Sequence, residues 1–175
     1  AGLHYWEEPC ISGSKGSGTV FFTGCNLHCV FCQNYDISFK EQGKEVSVEH
    51  LREIYHDLIV QGAHNINLVT AAHYVEAITE SLQEPLPVPV VYNSSGFEKV
   101  ETLKKLAGKV QIYLPDLKYH DVKLAGKYSH APEYFSVATT AIREMYRQVG
   151  PYKLRKTGLM EKGVIIRHLI MPGCT

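Results

Sequence analysis

The chain has 175 residues, 45% of them apolar and 21% charged, a composition that supplies enough apolar material for a core and excludes wholesale disorder. Eighteen Lys and Arg balance eighteen Asp and Glu with no basic stripe, which disfavours a nucleic-acid reader working by bulk phosphate attraction. No apolar run approaches the ~20 residues of a membrane span, and no secretory pattern opens the chain, so a cytoplasmic protein without nucleic-acid or membrane partners is expected.

In chain order, the β-branched and aromatic stretch Gly18 to Thr23 predicts a first buried strand, preceded by a Gly-rich entry (Gly13, Gly16, Gly18) that lacks phosphate-loop spacing. A polar loop carrying three cysteines follows. Ser47 reads as the N-cap of a helix with Val48, Leu51, Ile54, Tyr55, Leu58 and Ile59 on one face, closed by Gly62. Ile66 to Thr70 predicts a second strand and Tyr74 to Leu82 a second helix. Pro85, Pro87 and Pro89 lead to a third strand, Val90 to Asn93, and Ser94-Ser95-Gly96 make a turn. Phe97, Val100, Leu103 and Leu106 mark a third helix ending at Gly108, and Val110 to Leu114 a fourth strand. Tyr119 to Ser129 reads as a loop with a helical turn. Pro132 opens a helix that buries Tyr134, Phe135, Ala138, Ile142, Met145, Tyr146 and Val149, and Gly163 to Ile170 is the fifth strand.

Strand and helix thus alternate five times with no expected hairpin, which predicts an α/β fold of parallel strands joined by crossovers. Periodicity leaves a doubly wound sheet and an incomplete barrel both open. In either, chemistry collects at the carboxyl ends of the strands, where Cys25, Cys29, Cys32, Thr70, His73, Asn93, Ser94, Ser95, Asp116, Lys118, Arg167 and His168 fall.

The five cysteines are odd in number and three fall within eight residues, against a disulfide framework. Cys10 and Cys174 have no near partner and read as incidental thiols. Cys25, Cys29 and Cys32 form C-x3-C-x2-C, a spacing by which one loop can hold three irons of a [4Fe–4S] cluster and leave the fourth open. Zinc, with His28 as a fourth ligand, is the chief competing reading.

With this loop following the first strand, and Phe31 before its last cysteine, the chain resembles the radical S-adenosylmethionine superfamily. More narrowly it looks like the pyruvate formate-lyase activating enzymes and their homologues, through GSGTVFFTGCNLHCVFCQN, VVYNSSG, IYLPDLKY and VIIRHLIMPG. The resemblance implies a partial TIM-type (βα)6 barrel of parallel strands, truncated here after the fifth. Residues 1–17 would be a lead-in and 18–173 the βα core of an incomplete radical SAM domain, the exposed edge of the fifth strand needing cover from a partner.

It also implies that Cys25, Cys29 and Cys32 ligate three irons and that S-adenosylmethionine chelates the fourth. One-electron reduction would then release a 5′-deoxyadenosyl radical that removes hydrogen from a glycine of a glycyl-radical enzyme. Flavodoxin or ferredoxin would supply the electron. Phe31, Asn93, Ser95, Asp116, Lys118 and Arg167 are the implied cofactor contacts: Asp116 and Lys118 as a strand-end D-x-K pair, Arg167 through a fork suited to a carboxylate. His168, alternating to the other face, is expected to pack. Asn93 stands where the activating enzymes carry Asp. Leu68 to His73 replaces a Gly-Gly-Glu element, with Thr70, His73 or backbone carbonyls as substitutes. Two other readings share the motif: radical modification of another protein or small molecule, and a non-catalytic zinc-stabilised binding module.

Overall fold

The computed structural model describes residues 1–40 and 42–171. Seven strands, β1 (Gly2–His4), β2 (Ser17–Phe21), β3 (Ile66–Val69), β4 (Val90–Ser94), β5 (Ile112–Pro115), β6 (Lys153–Leu154) and β7 (Met160–Val164), lie in the order β1-β2-β3-β4-β5-β7-β6. β2, β3, β4, β5 and β7 pair in parallel, while β1 and β6 are antiparallel edges. The sheet is open, and its parallel strands follow one another in chain order. That succession is singly wound, so the incomplete barrel is the fold and the doubly wound alternative is not.

Period-two alternation separates the two faces of the sheet. Val20, Leu68, Tyr92 and Tyr113 face the helices and share one core with Leu51, Tyr55 and Leu58 of α3 (Val48–Val60), Val75 and Ile78 of α4 (Val75–Ser81), Leu103 of α5 (Val100–Lys105), and Ala141 and Met145 of α7 (Tyr134–Val149). Each fully buried Leu or Ile there is worth about 1.5–3 kcal/mol. As the sequence indicates, Ser47 caps α3, its hydroxyl accepting from His50 N at 3.1 Å. On the opposite face Val91, Ile112 and Leu114 meet Ile11 of a short α1 (Pro9–Ser12), with Met160 and the partly buried Cys10 and Ile165.

The structure departs from expectation at several points along the chain, Tyr146 of α7 among them, which is exposed rather than buried. The 1–17 lead-in is no loose entry: β1 adds to the sheet edge, and α1 plugs the inner face through Ile11, which is fully buried. The stretch after Tyr119 holds a regular helix, α6 (Val122–Ser129), because Asp121 caps it by accepting from Leu124 N at 2.8 Å. The connection before the fifth strand folds into a hairpin, β6 with β7, turned at Gly158 (φ 82°). That hairpin covers part of the fifth strand's free edge from within the chain, so an external partner is not needed along that part. Finally, the regular part of the fifth strand is Met160–Val164, and of the expected residues to Ile170 those up to Arg167 continue it irregularly, Ile165 N donating to Tyr113 O and Arg167 N to Pro115 O at 2.9 Å each, while Ile166, Leu169 and Ile170 are exposed. Between the cysteine loop and α3 lies a further short helix, α2 (Tyr35–Phe39). Cys174 and the Pro172-Gly173 turn lie outside the described residues. Among the described residues no helix is long and apolar enough to cross a membrane.

Candidate functional site

The carboxyl ends of the parallel strands open onto one cavity of about 600 Å³. Cys25, Cys29 and Cys32 line it, together with Phe31, Thr70, Asn93, Ser94, Ser95, Asp116, Lys118, Arg167 and His168. The three cysteines and all six implied cofactor contacts therefore reach one space. Thr70 is there as well, but His73 lies exposed in a 3-10 turn (Ala72–Tyr74) and does not line it.

The cysteine loop is built as a shelf. Cys32 N donates to Cys29 O at 3.1 Å and Val30 N to Tyr128 O of α6 at 2.9 Å, so the helix expected only as a turn anchors the loop's tip. Leu27 and Cys29 are buried with Tyr119, Ala125, Ala131, Tyr134 and Ala138. Phe31 packs against this wall, its ring centroid 6.3 Å from that of Tyr119. Ser129 Oγ lies 2.8 Å from Cys29 Sγ, and Leu27 N donates to Cys25 Sγ at 3.4 Å. Burial pushes the Cys25 and Cys29 thiols up, and the Lys118 ammonium works the other way on both. Asn26 ties the shelf to the turn after β4, donating to Phe97 O and accepting from Ser95 Oγ at 3.5 Å. His28 is exposed beside Phe39, centroids 5.0 Å apart, and does not line the cavity.

The facing wall is polar. Asp116 bonds Lys118 through one oxygen and Arg167 Nε through the other at 3.1 Å. The i, i+2 pair thus shares one side, as alternation requires. Arg167 Nη2 donates to Asn93 Oδ1 at 2.5 Å. His168 is not packed: it is exposed at the rim, its Nδ1 2.5 Å from Leu117 O, because the chain has left the regular sheet by that point. Tyr134 joins the elements from beneath. Its hydroxyl reaches Ser95 O at 2.8 Å and Asp116 O at 2.9 Å and accepts from Lys118 N at 3.0 Å. Gly96 (φ 77°) lets the turn pass directly over the Asp116 carbonyl, where a Cβ would collide. Thr70 also holds a left-handed backbone (φ 58°), a strained state for a β-branched residue.

One residue on this wall was missed. Glu7, between β1 and α1, reaches Arg167, Asn67 and Asn93 and lines the same cavity. Nothing in local periodicity marks it.

Compared with known proteins, residues 12–143 match the family described as the 4Fe-4S single cluster domain. The chain belongs to that family. It is 28% identical over 188 residues to the uncharacterized protein MJ0674 of Methanocaldococcus jannaschii, across 97% of this chain and 48% of that protein. Its fold is similar to the crystal structure of methylornithine synthase (PylB), with a TM-score of 0.58 at 18% identity, across 89% of this chain and 45% of that one. The chain spans about half the length of both. The family match supports a single [4Fe–4S] cluster and the structural likeness supports the fold, and neither distinguishes an activating-enzyme branch.

The donor set fits a cubane. Three thiols of one loop line a single cavity within electrostatic reach of one another. Among the described residues no three His, Cys, Asp or Glu side chains gather around a single-ion site. Thiolates of a cubane each bind a different iron and stand further apart than the ligands of one ion.

Proposed function

We propose that this chain is a radical S-adenosylmethionine enzyme in which Cys25, Cys29 and Cys32 each hold one iron and S-adenosylmethionine lies between them and the polar wall. The observation that carries the reading is the one cavity that sets the three thiols of a single loop opposite Asn93, Ser95, Asp116, Lys118 and Arg167. When bound, the reduced cluster supplies the electron that splits the sulfonium and yields a 5′-deoxyadenosyl radical able to remove hydrogen from a substrate.

The chain's own contribution is placement and charge. Lys118 and Asp116, with side chains 14% and 24% exposed, present an ammonium and a carboxylate toward a ligand that itself carries a carboxylate and an amino group. Arg167 is already engaged with Asp116 and Asn93, so its part is to aim these two groups. Phe31 and the buried Leu27 keep water from the cluster side of the cavity.

The finer reading is that the hydrogen donor is a glycine of a glycyl-radical enzyme and that flavodoxin or ferredoxin delivers the electron. Its support is the four sequence stretches that resemble those of the activating enzymes. Anaerobic reconstitution tests the core of the proposal: a broad absorbance near ~400 nm with about four irons per chain is expected, and dithionite with S-adenosylmethionine should then release 5′-deoxyadenosine and methionine. Stoichiometric zinc without iron would overturn it. Incubation with a glycyl-radical enzyme, read by electron paramagnetic resonance, tests the substrate.

A further inference from the structure

We propose that Glu7 is a positioning residue of this site, acting through Arg167; the inference rests on the radical S-adenosylmethionine reading above. The side chain of Glu7 is 11% exposed, and its Oε2 lies 3.4 Å from Arg167 Nη1, 160 positions away in sequence. Its Oε1 accepts from Asn67 Nδ2 of β3 at 3.1 Å and from Asn93 Nδ2 of β4 at 3.4 Å. Arg167 completes the chain of contacts, donating from Nη2 to Asn93 Oδ1 at 2.5 Å and from Nε to Asp116 Oδ1 at 3.1 Å. One carboxylate from the start of the polypeptide therefore ties together β3, β4 and the segment after β7, and its reach extends through Arg167 to Asp116 and Lys118.

All three guanidinium nitrogens of Arg167 engage protein acceptors, through three of its five N–H groups, so this arginine orients the wall. With Glu7 in place the guanidinium sits between two carboxylates. Without it, Nη1 loses its partner and Asp116 is left as the guanidinium's one carboxylate, beside the Asn93 acceptor, which draws that carboxylate away from Lys118. In Glu7→Gln the amide oxygen can still accept from Asn67 and Asn93, 0% and 5% exposed, which turns its NH2 toward Arg167 Nη1 and places the loss on that contact. Glu7 cannot drift to compensate. Pro9 opens α1 two residues later, and fully buried Ile11 is locked against Val91, Ile112 and Leu114.

The test is a double-mutant cycle on the anaerobically reconstituted chain with Glu7→Gln, Arg167→Gln and both together, reading iron content, S-adenosylmethionine affinity and thermal unfolding. Glu7→Gln is expected to keep its iron and to bind S-adenosylmethionine about tenfold more weakly, and the double variant to bind no worse than Arg167→Gln alone. Affinity within about twofold of wild type, or losses that multiply independently, would overturn the proposal. If Glu7→Gln does not fold, Glu7→Asp carries the same expectation, because it keeps the charge and shortens the reach by one methylene. A wild-type chain that holds the cluster and binds no S-adenosylmethionine defeats the functional reading instead. The cycle is then read on unfolding, where non-additivity between Glu7 and Arg167 retains the positioning role and additivity removes it.

Discussion

Glu98 offers a measurable consequence of burying a carboxyl beneath the site. It is 5% exposed just past the turn after β4, its Oε1 accepts from the Tyr92 hydroxyl at 3.3 Å, and it acts electrostatically on the buried tyrosines Tyr92 and Tyr113. Burial raises its carboxyl from 4.5 to about 7, against the pull of hydrogen bonds from Ser94 and Tyr92. The folded chain therefore binds this proton more tightly than the unfolded chain does. Stability from the protonated group is fully present below the unfolded value and declines as pH rises through about 7. The gap between the two values corresponds to about 3 kcal/mol. Glu98→Gln keeps the shape and removes the titration. Urea unfolding at pH 5 and pH 8 should show the variant gaining on wild type by up to about 3 kcal/mol at the higher pH. A wild-type-minus-variant difference that does not change with pH, or one that changes in wild type's favour as pH rises, would refute the reasoning.

Cys29→Ser removes the one buried thiol of the three, and reconstituted protein should fall well below the wild-type iron content while far-ultraviolet circular dichroism stays near wild type. Tyr134→Phe keeps the ring but strips the hydroxyl that meets Ser95 O, Asp116 O and Lys118 N; the loss should be about 1–3 kcal/mol in denaturant unfolding, with weaker S-adenosylmethionine binding besides. Gly96→Ala must place a Cβ against the Asp116 carbonyl at φ 77°, so a fall in Tm is expected, of at least the few degrees that ~1 kcal/mol costs a domain of this size. Unchanged Tm would mean that the turn relaxes at no cost.

Much of this architecture is written in local periodicity. The parallel strands and the capped helix α3 follow from runs of apolar residues and from Ser47 before Val48, because each such signal is satisfied within a dozen residues. The cysteine loop is legible for the same reason: its three donors lie within eight residues. The misses share a different cause. β6 is two residues long and exposed at both, so it has no apolar signature, and it exists because β7 offers it an edge. α6 hides behind Gly126 and a low apolar content, yet Asp121 caps it and the cysteine loop rests on it. His168 follows the alternation rule only while the strand persists, and the strand ends before it. Glu7 carries no local signal at all, since its meaning comes from partners at positions 67, 93 and 167.

The distribution of charge across the cavity follows from that same division. The shelf is made by one short loop seated on an apolar wall, and its donors can be close in sequence because the loop itself holds them. The facing wall is made by the ends of separate strands, so each of its side chains must be held by a neighbour from another strand. Asn93, Asp116 and Arg167 come from β4, β5 and the segment after β7, and no two of them lie within twenty residues of each other. A partly buried guanidinium and carboxylate keep a fixed geometry best when their remaining bonding capacity is also satisfied. Asn26 fixes the distance between shelf and wall by bonding the turn after β4. Tyr134 then locks that turn to Asp116 and Lys118 from below. The geometry offered to a cofactor is thus decided less by the residues that would touch it than by Asn26, Tyr134 and Glu7, which hold those residues in place.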